Sequence, residues 1–155
     1  AMVGEGRNLA LPEPEAFNHF LSEYLEAKKS NPVLSMKDNL FNSHLDTSNI
    51  DVTGGCTGYG CGAAFNFVSV LPDGETHACR KFPSLIGNIR EFSLLEMYRS
   101  DQAVRYRNGS QACSGCRLWA VCRGCPAVVY GMGLDCFERR DPFCCYANAP
   151  GEHGQ

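Results

Sequence analysis

Near the start of the chain, apolar residues recur with the spacing of one helical face. The predicted helix follows an entry loop within residues 8–30, and its apolar face consists of Phe17, Phe20, Leu21, Tyr24 and Leu25. Pro14 stands at its start, where a missing backbone N–H costs little, and Lys28 and Lys29 close it near the negative end of the helix dipole. An amphipathic helix gains most of its stability from burial of its apolar stripe, so we expect this one to pack against another part of the protein.

Two short segments farther along the chain predict a β-hairpin. Residues 65–71 and 75–79 are its strands. Pro72-Asp73-Gly74 between them provides the fixed φ, the Asx hydrogen bond and the positive φ that a tight turn needs. Because a hairpin returns the end of its second strand to the start of the first, we expect Cys79 to lie near Cys61.

A capping-box pattern predicts the start of a second helix. Ser93 and Glu96 have the required spacing. The apolar and aromatic residues that follow at helical spacing are Leu94, Leu95, Met97, Tyr98 and Val104. We therefore predict one helix from about Leu94 to Tyr106.

These elements predict an α+β fold. We expect a small metal-stapled domain with a β-hairpin, one or two helices and Cys-rich loops, preceded by the N-terminal helix. Residues 1–55 would form that helix and a polar, turn-rich linker, residues 56–146 the cysteine-rich domain, and residues 147–155 a disordered tail.

Composition and charge narrow the class of protein. Apolar residues make up 44% of the chain, enough for a modest core. No apolar run approaches the ~20 residues that span a bilayer. The N-terminus lacks the basic and apolar stretches of a secretory signal, which favours a cytoplasmic location. The formal net charge of −3 gives no footprint for nucleic acid or an anionic membrane, so we expect neither as a partner.

Ten cysteines dominate the chemistry of the chain, and none lies before Cys56. Four form the run Cys113-x2-Cys116-x5-Cys122-x2-Cys125, and the other six are Cys56, Cys61, Cys79, Cys136, Cys144 and Cys145. Gly115 and Gly124 stand inside the two Cys-x2-Cys pairs, which predicts tight turns whose N–H groups face sulfur. Thiolates at this spacing reach a common metal centre with little help from the rest of the fold.

Three kinds of site use so many cysteines. Disulfides are the least favoured, because the sequence lacks a secretory signal. Zinc would use the two Cys-x2-Cys pairs to close one tetrahedral site and would leave Cys56, Cys61, Cys79 and Cys144 for another. Iron–sulfur chemistry would use eight thiolates for two four-iron clusters and leave two cysteines spare. Spacing alone does not separate zinc from iron–sulfur clusters.

The order of these motifs resembles the SPASM domain, the C-terminal extension of radical SAM enzymes that mature peptides and proteins. The matching cysteines and turn are Cys61-x12-Gly74-x4-Cys79, Cys113-x2-Cys116-x5-Cys122-x2-Cys125 and Cys144. Further matching segments are Pro72-Asp73-Gly74, Ile86-Gly87-Asn88-Ile89, Cys122-Arg123-Gly124-Cys125-Pro126-Ala127 and Asp141-Pro142-Phe143-Cys144. The resemblance covers about residues 56–145, with these pieces in the family's order.

The resemblance implies two auxiliary [4Fe-4S] clusters that serve electron transfer or placement of the substrate. The first ligand set that it implies is Cys56, Cys61, Cys79 and Cys125. The second is Cys113, Cys116, Cys122 and Cys144, with Cys145 and Cys136 as rivals for the last position. The family usually has three residues between the third and fourth cysteines of the run, whereas this chain has two. A shorter turn makes it easier for Cys122 and Cys125 to share one metal, so a zinc-binding, non-catalytic structural or interaction module is the alternative.

The chain contains no Cys-x3-Cys-x2-Cys motif, which radical SAM enzymes use for the cluster that cleaves S-adenosylmethionine. We therefore expect no catalytic residue in this chain, and we expect it to be the C-terminal part of a radical SAM oxidoreductase or maturase. The implied partners are a catalytic barrel in the same parent chain and a peptide or protein substrate. The helix at residues 13–29 resembles the last part of that barrel or the bridge from it.

Overall fold

The computed structural model describes residues 4–35 and 60–144. In chain order its helices and strands are α1 (Pro14–Ser30), β1 (Ser69–Val70), β2 (Glu75–His77), β3 (Leu85–Asn88), α2 (Leu94–Arg99), α3 (Asp101–Asn108) and α4 (Pro126–Gly131), with 3₁₀ turns at Gly4–Asn8 and Gln111–Cys113. The strands form an antiparallel sheet in the order β1-β2-β3. The predicted α+β class is confirmed.

The predicted N-terminal helix is α1, which has Pro14 in its first position. Its apolar stripe is partly buried: Leu21 is 1% exposed, and the partly buried Phe17 and Tyr24 pack against the same core. Phe20, also on the predicted face, is 51% exposed. The helix is therefore held by part of its stripe.

The predicted hairpin is present, but it is shorter than expected and gains a third strand. The Leu71 N–H donates to the Glu75 carbonyl at 2.8 Å across the turn, and Gly74 has the positive φ that the turn needs. The first strand begins late because the N–H groups of residues 65 and 66 both donate to the Gly62 carbonyl, which folds this segment into a turn. β3, which the sequence pattern did not predict, pairs along β2.

The helix predicted from about Leu94 to Tyr106 is present as two helices, α2 and α3. The capping box is confirmed, because the Ser93 N–H donates to the Glu96 carboxylate at 2.8 Å and the Ser93 hydroxyl accepts from the Glu96 N–H. The helix breaks at Ser100, whose backbone is extended and whose hydroxyl accepts from the Ala103 N–H to cap α3. The Ser100 cap therefore ends the first helix and starts the second, although the apolar periodicity continues through both.

The buried side chains form two hydrophobic cores. The sheet core consists of Ala63, Ala64, Ala78, Phe82, Ile86, Met97, Ala103, Tyr106, Ala127, Val129 and Cys136. The α1 core consists of Leu21, Leu118, Cys122 and Phe143. α4, which the sequence pattern did not predict, starts directly after Cys125 with Pro126 in its first position. Its burial in the sheet core places Cys125 beside that core.

Some predictions fall outside the described residues. These are the linker beyond residue 35, the tail at residues 147–155, Cys56 and Cys145. Within the two described ranges, none of the helices combines the length and the apolar character needed to cross a bilayer.

Candidate metal centre

The two Cys-x2-Cys pairs fold into the tight turns that their glycines predict. In the first pair the Cys116 N–H donates to the Cys113 carbonyl at 3.1 Å, and Gly115 has a φ of 79°. In the second pair the Gly124 N–H donates to the sulfur of Cys122. This contact is the predicted arrangement of a backbone N–H facing sulfur, and it stabilises a thiolate more than a thiol.

Three closely spaced cysteines and a fourth from farther along the chain line one small cavity. They are Cys113, Cys116, Cys122 and Cys144. The cavity has a volume of about 20 Å³, room for roughly one water molecule. Leu118 and Trp119 form part of its wall. These four cysteines are the ones that the resemblance assigns to the second cluster.

Burial favours the protonated form of two of these thiols, Cys113 and Cys122. The pKa of Cys113 is raised to about 11, first by burial and then by the neighbouring Cys144, while the Arg140 guanidinium acts in the opposite direction. The pKa of Cys122 is raised to about 12, mainly by burial and to a smaller extent by Cys144, while the hydrogen bond from the Gly124 N–H lowers it. The influence of Cys144 on both pKa values reflects how near its sulfur lies. A bound metal would displace the thiol protons, and its positive charge would compensate for the buried thiolates.

Cys144 reaches the cavity because the segment before it is anchored. The Cys144 N–H donates to the Asp141 carbonyl at 2.9 Å. Phe143 is buried in the α1 core and packs on Phe17 of α1, with the ring centroids 4.8 Å apart. The N-terminal helix therefore helps to place a cysteine from the far end of the described chain.

Cys136, one rival for the last ligand position, lies elsewhere. It belongs to the sheet core and lines a different and larger groove with Tyr106 and Phe137. Burial raises the pKa of its thiol, and the Asp135 carboxylate adds to this. Cys145, the other rival, lies outside the described residues.

Three of the four cysteines assigned to the first cluster pack against the sheet core. They are Cys61, Cys79 and Cys125. The Ala64 N–H donates to the Ala78 carbonyl at 3.0 Å, so the hairpin returns the end of its second strand to the segment that follows Cys61, as predicted. Cys56, the fourth member, lies outside the described residues, and the structure therefore describes this set in part.

The eight cysteines in the described ranges are free thiols, so disulfides do not account for them. Within residues 4–35 and 60–144, no three Cys, His, Asp or Glu side chains already converge as the ligands of a metal ion. His77, the histidine nearest in sequence to a cysteine, has a structural role. Its Nδ1 accepts from the Ser84 N–H at 2.9 Å, and its Nε2 lies 3.1 Å from the Glu75 carboxylate.

Three charged residues of the cavity wall, Arg123, Arg140 and Asp141, were not predicted as site residues. The Arg140 side chain donates to the Ala112 carbonyl at 2.5 Å. Asp141 is 2% exposed, and its carboxylate accepts from the N–H groups of Cys125 and Phe143. An Asp followed by Pro is typical of an Asx turn, and that was the signal available in the sequence.

Comparison with known proteins adds two matches. Residues 61–126 match the family model of the SPASM domain, described as an iron-sulfur cluster-binding domain. The chain is 30% identical over 125 residues to the AdoMet-dependent heme synthase of Methanosarcina barkeri (strain Fusaro / DSM 804). That match covers 78% of this chain and 32% of the relative, so the chain spans about a third of the relative's length. No solved structure matches the chain significantly.

Proposed function

Since residues 61–126 of this chain belong to the SPASM family of iron–sulfur cluster-binding domains, we propose that the chain is the auxiliary cluster domain of a radical SAM enzyme. The resemblance predicted from the sequence is confirmed by this family match. The observation that carries the proposal is the cavity lined by Cys113, Cys116, Cys122 and Cys144. Four thiols are the donor set that [4Fe-4S] clusters use, so these residues fit the group.

The proposal includes two clusters with interleaved ligands. Cys56, Cys61, Cys79 and Cys125 would hold the first, and Cys113, Cys116, Cys122 and Cys144 the second. The separation of Cys122 and Cys125 supports this assignment, because Cys122 is buried in the α1 core whereas Cys125 packs against the sheet core. The two cysteines at the ends of this short turn thus lie beside different hydrophobic cores.

When bound, such clusters supply one-electron transfer at potentials that the protein sets. The residues of this chain hold, orient and shield the second site. Leu118 and Trp119 cover the cavity, and the Arg140 guanidinium offsets part of the negative charge of the thiolates. The Gly124 N–H points at the Cys122 sulfur, and hydrogen bonds to cluster sulfurs are among the features that tune the potential.

If all eight assigned thiols bind, every cluster has four protein ligands, and no iron is left for direct binding of substrate. We therefore propose electron transfer, placement of the substrate, or both. Residues 56–146 would form the cluster domain, and residues 1–55 would lead into it from a catalytic barrel that binds S-adenosylmethionine. The packing of α1 on the core that contains Cys122 supports this continuity. A cytoplasmic setting, which keeps thiols reduced, suits such clusters.

The substrate of the parent enzyme is the finer part of the proposal. The family resemblance favours a peptide or protein, whereas the relative from Methanosarcina barkeri is named for heme synthesis. This chain spans about a third of that relative, so the relative's activity does not carry over to it. We propose, on the family resemblance, that the parent enzyme's substrate is a peptide or protein, and a tetrapyrrole is the competing outcome. Turnover assays of the parent enzyme with a candidate peptide and with a heme precursor would distinguish them.

A zinc-binding structural module is the second candidate, favoured by one observation. The turn between Cys122 and Cys125 has two residues, a spacing that is common in zinc sites. The different cores of the two cysteines oppose a shared ion and favour the cluster assignment.

Metal analysis of the chain prepared without oxygen tests the proposal. We expect about eight iron and eight acid-labile sulfide per chain, four for each cluster, together with brown absorbance. About one or two zinc ions per chain, with no sulfide, would establish the structural module instead. The Cys136→Ala variant is the control and should keep the full iron content, since Cys136 lies in a different groove.

A further inference from the structure

A buried carboxylate lies between the segments that carry the two proposed ligand sets. Asp141 is 2% exposed and lines the cavity of the second set. A buried carboxylate is costly unless hydrogen bonds compensate for its lost hydration, so its partners show what it stabilises.

The hydrogen bonds of Asp141 connect both sets. Its Oδ2 accepts from the N–H of Cys125, a ligand of the proposed first cluster, at 3.1 Å. Its Oδ1 accepts from the Phe143 N–H at 3.0 Å, and its backbone carbonyl accepts from the N–H of Cys144, a ligand of the proposed second cluster, at 2.9 Å. One residue therefore fixes the backbone at a cysteine of each set.

The contact between these segments is close and depends on a glycine. A Cβ atom at Gly124 would lie 3.2 Å from the Cβ of Asp141, and Gly124 has a φ of 68°. Because Gly124 has no side chain, the backbone of the Cys122–Cys125 turn lies directly against Asp141. This short approach brings the Cys125 N–H within reach of the carboxylate.

We propose that Asp141 is a positioning residue for both cluster sites: its carboxylate holds the Cys125 N–H of the first set and, through the Phe143 N–H, fixes the turn that places Cys144 of the second set. This inference rests on the proposed function. If Asp141 served one site alone, its loss would affect iron binding at that site alone. We expect instead that its loss misplaces one ligand of each set. Asp141 also lines the cavity, and its negative charge acts on the Cys113 and Cys122 thiols, so it disfavours an added electron at the second site and lowers the reduction potential there.

Single-site backgrounds allow each half of the proposal to be measured. Cys61→Ala should leave the second site as the place where iron binds, and Cys116→Ala should leave the first. Adding Asp141→Ala to each background is expected to lower iron affinity about tenfold or more in both, as measured by competition with a chelator under nitrogen. Wild-type affinity in either background would overturn the proposal.

A matched control and a milder variant separate this role from general damage to the fold. Asp135 makes the same local contact, accepting from the Phe137 N–H at 2.8 Å, but no hydrogen bond links it to either ligand set within the described residues. Asp135→Ala removes this contact as Asp141→Ala removes its counterpart, yet it should keep the wild-type iron affinity in both backgrounds, and an equal loss in this variant would overturn the proposal.

The Asp141→Asn variant keeps the shape of the side chain and removes its charge. In the Cys61→Ala background, the potential of the remaining cluster should shift to a more positive value, as measured by redox titration followed by electron paramagnetic resonance. An unchanged potential would overturn the proposed electrostatic effect. A wild-type chain that binds no iron under these conditions would instead overturn the proposed function itself.

Discussion

Cys122 and Cys125 are joined by a turn of two residues, yet they pack against different cores. Cys122 is 8% exposed and buried in the α1 core, while Cys125 caps α4 and packs against the sheet core. The two residues between them, Arg123 and Gly124, both have a left-handed backbone, with φ of 61° and 68°. Two successive left-handed residues turn the chain over, so the two sulfurs lie in different surroundings.

This separation predicts how cysteine substitutions combine. Cys122→Ala and Cys125→Ala should each remove about half of the iron, and the double variant should remove nearly all of it, because the losses at independent sites add. Iron and sulfide analysis after anaerobic preparation measures this. If the two cysteines share one metal, the double variant will lose no more metal than either single variant.

The N-terminal helix should protect the second site. Leu21→Ala removes a side chain that is 1% exposed in the core that contains Cys122, and we expect it to destabilise the protein by about 2–5 kcal/mol. Iron bound at the second site should also be lost faster to a chelator. Phe20→Ala is the control on the same helix, because Phe20 is 51% exposed and its loss should change stability little. Equal iron release from both variants would contradict this role of α1.

Gly60 should be intolerant of any side chain. A Cβ there would lie 2.9 Å from the Cys122 carbonyl oxygen, and the residue has a φ of 93°. Gly60→Ala therefore combines a backbone clash with an unfavourable φ, and we expect a loss of more than about 2 kcal/mol. Gly115→Ala is the matched control, since Gly115 also has a positive φ but open space around its Cα. Thermal unfolding should show a clearly larger drop for the Gly60 variant, and similar drops would contradict the steric argument.

Arg123 stabilises the turn with its side chain although its backbone is strained. Its guanidinium donates to the carbonyls of Arg107 at 2.6 Å and Trp119 at 3.2 Å, and it also stacks on the Trp119 ring. Arg123→Ala loses these contacts and should destabilise the protein by about 1–3 kcal/mol. Arg123→Gly loses the same contacts but relieves the left-handed strain, so it should be about 1 kcal/mol more stable than the Ala variant. Unfolding midpoints give the order, and a Gly variant no more stable than the Ala variant would contradict the strain.

Features that depend on neighbouring residues were predictable from the sequence. The capping box at Ser93, the turn at Gly74 and the glycine turns of the Cys-x2-Cys pairs all form as expected, because each rests on hydrogen bonds and backbone preferences within a few residues. One prediction was wrong although the deciding signal was local. The apolar spacing continues past Ser100 and predicted a single helix, whereas the cap that Ser100 forms divides the segment into α2 and α3.

The sequence by itself determined the donor chemistry, namely the number of thiols and their spacing, and it indicated the α+β class of the fold. The family resemblance proposed how the thiols divide, but spacing could not, since the cysteines of the second set extend from Cys113 to Cys144. Only the tertiary structure placed Cys144 at the cavity, Cys136 in another groove and Asp141 between the two segments. Those positions depend on which apolar side chains are buried together, and burial joins residues that are far apart in the chain.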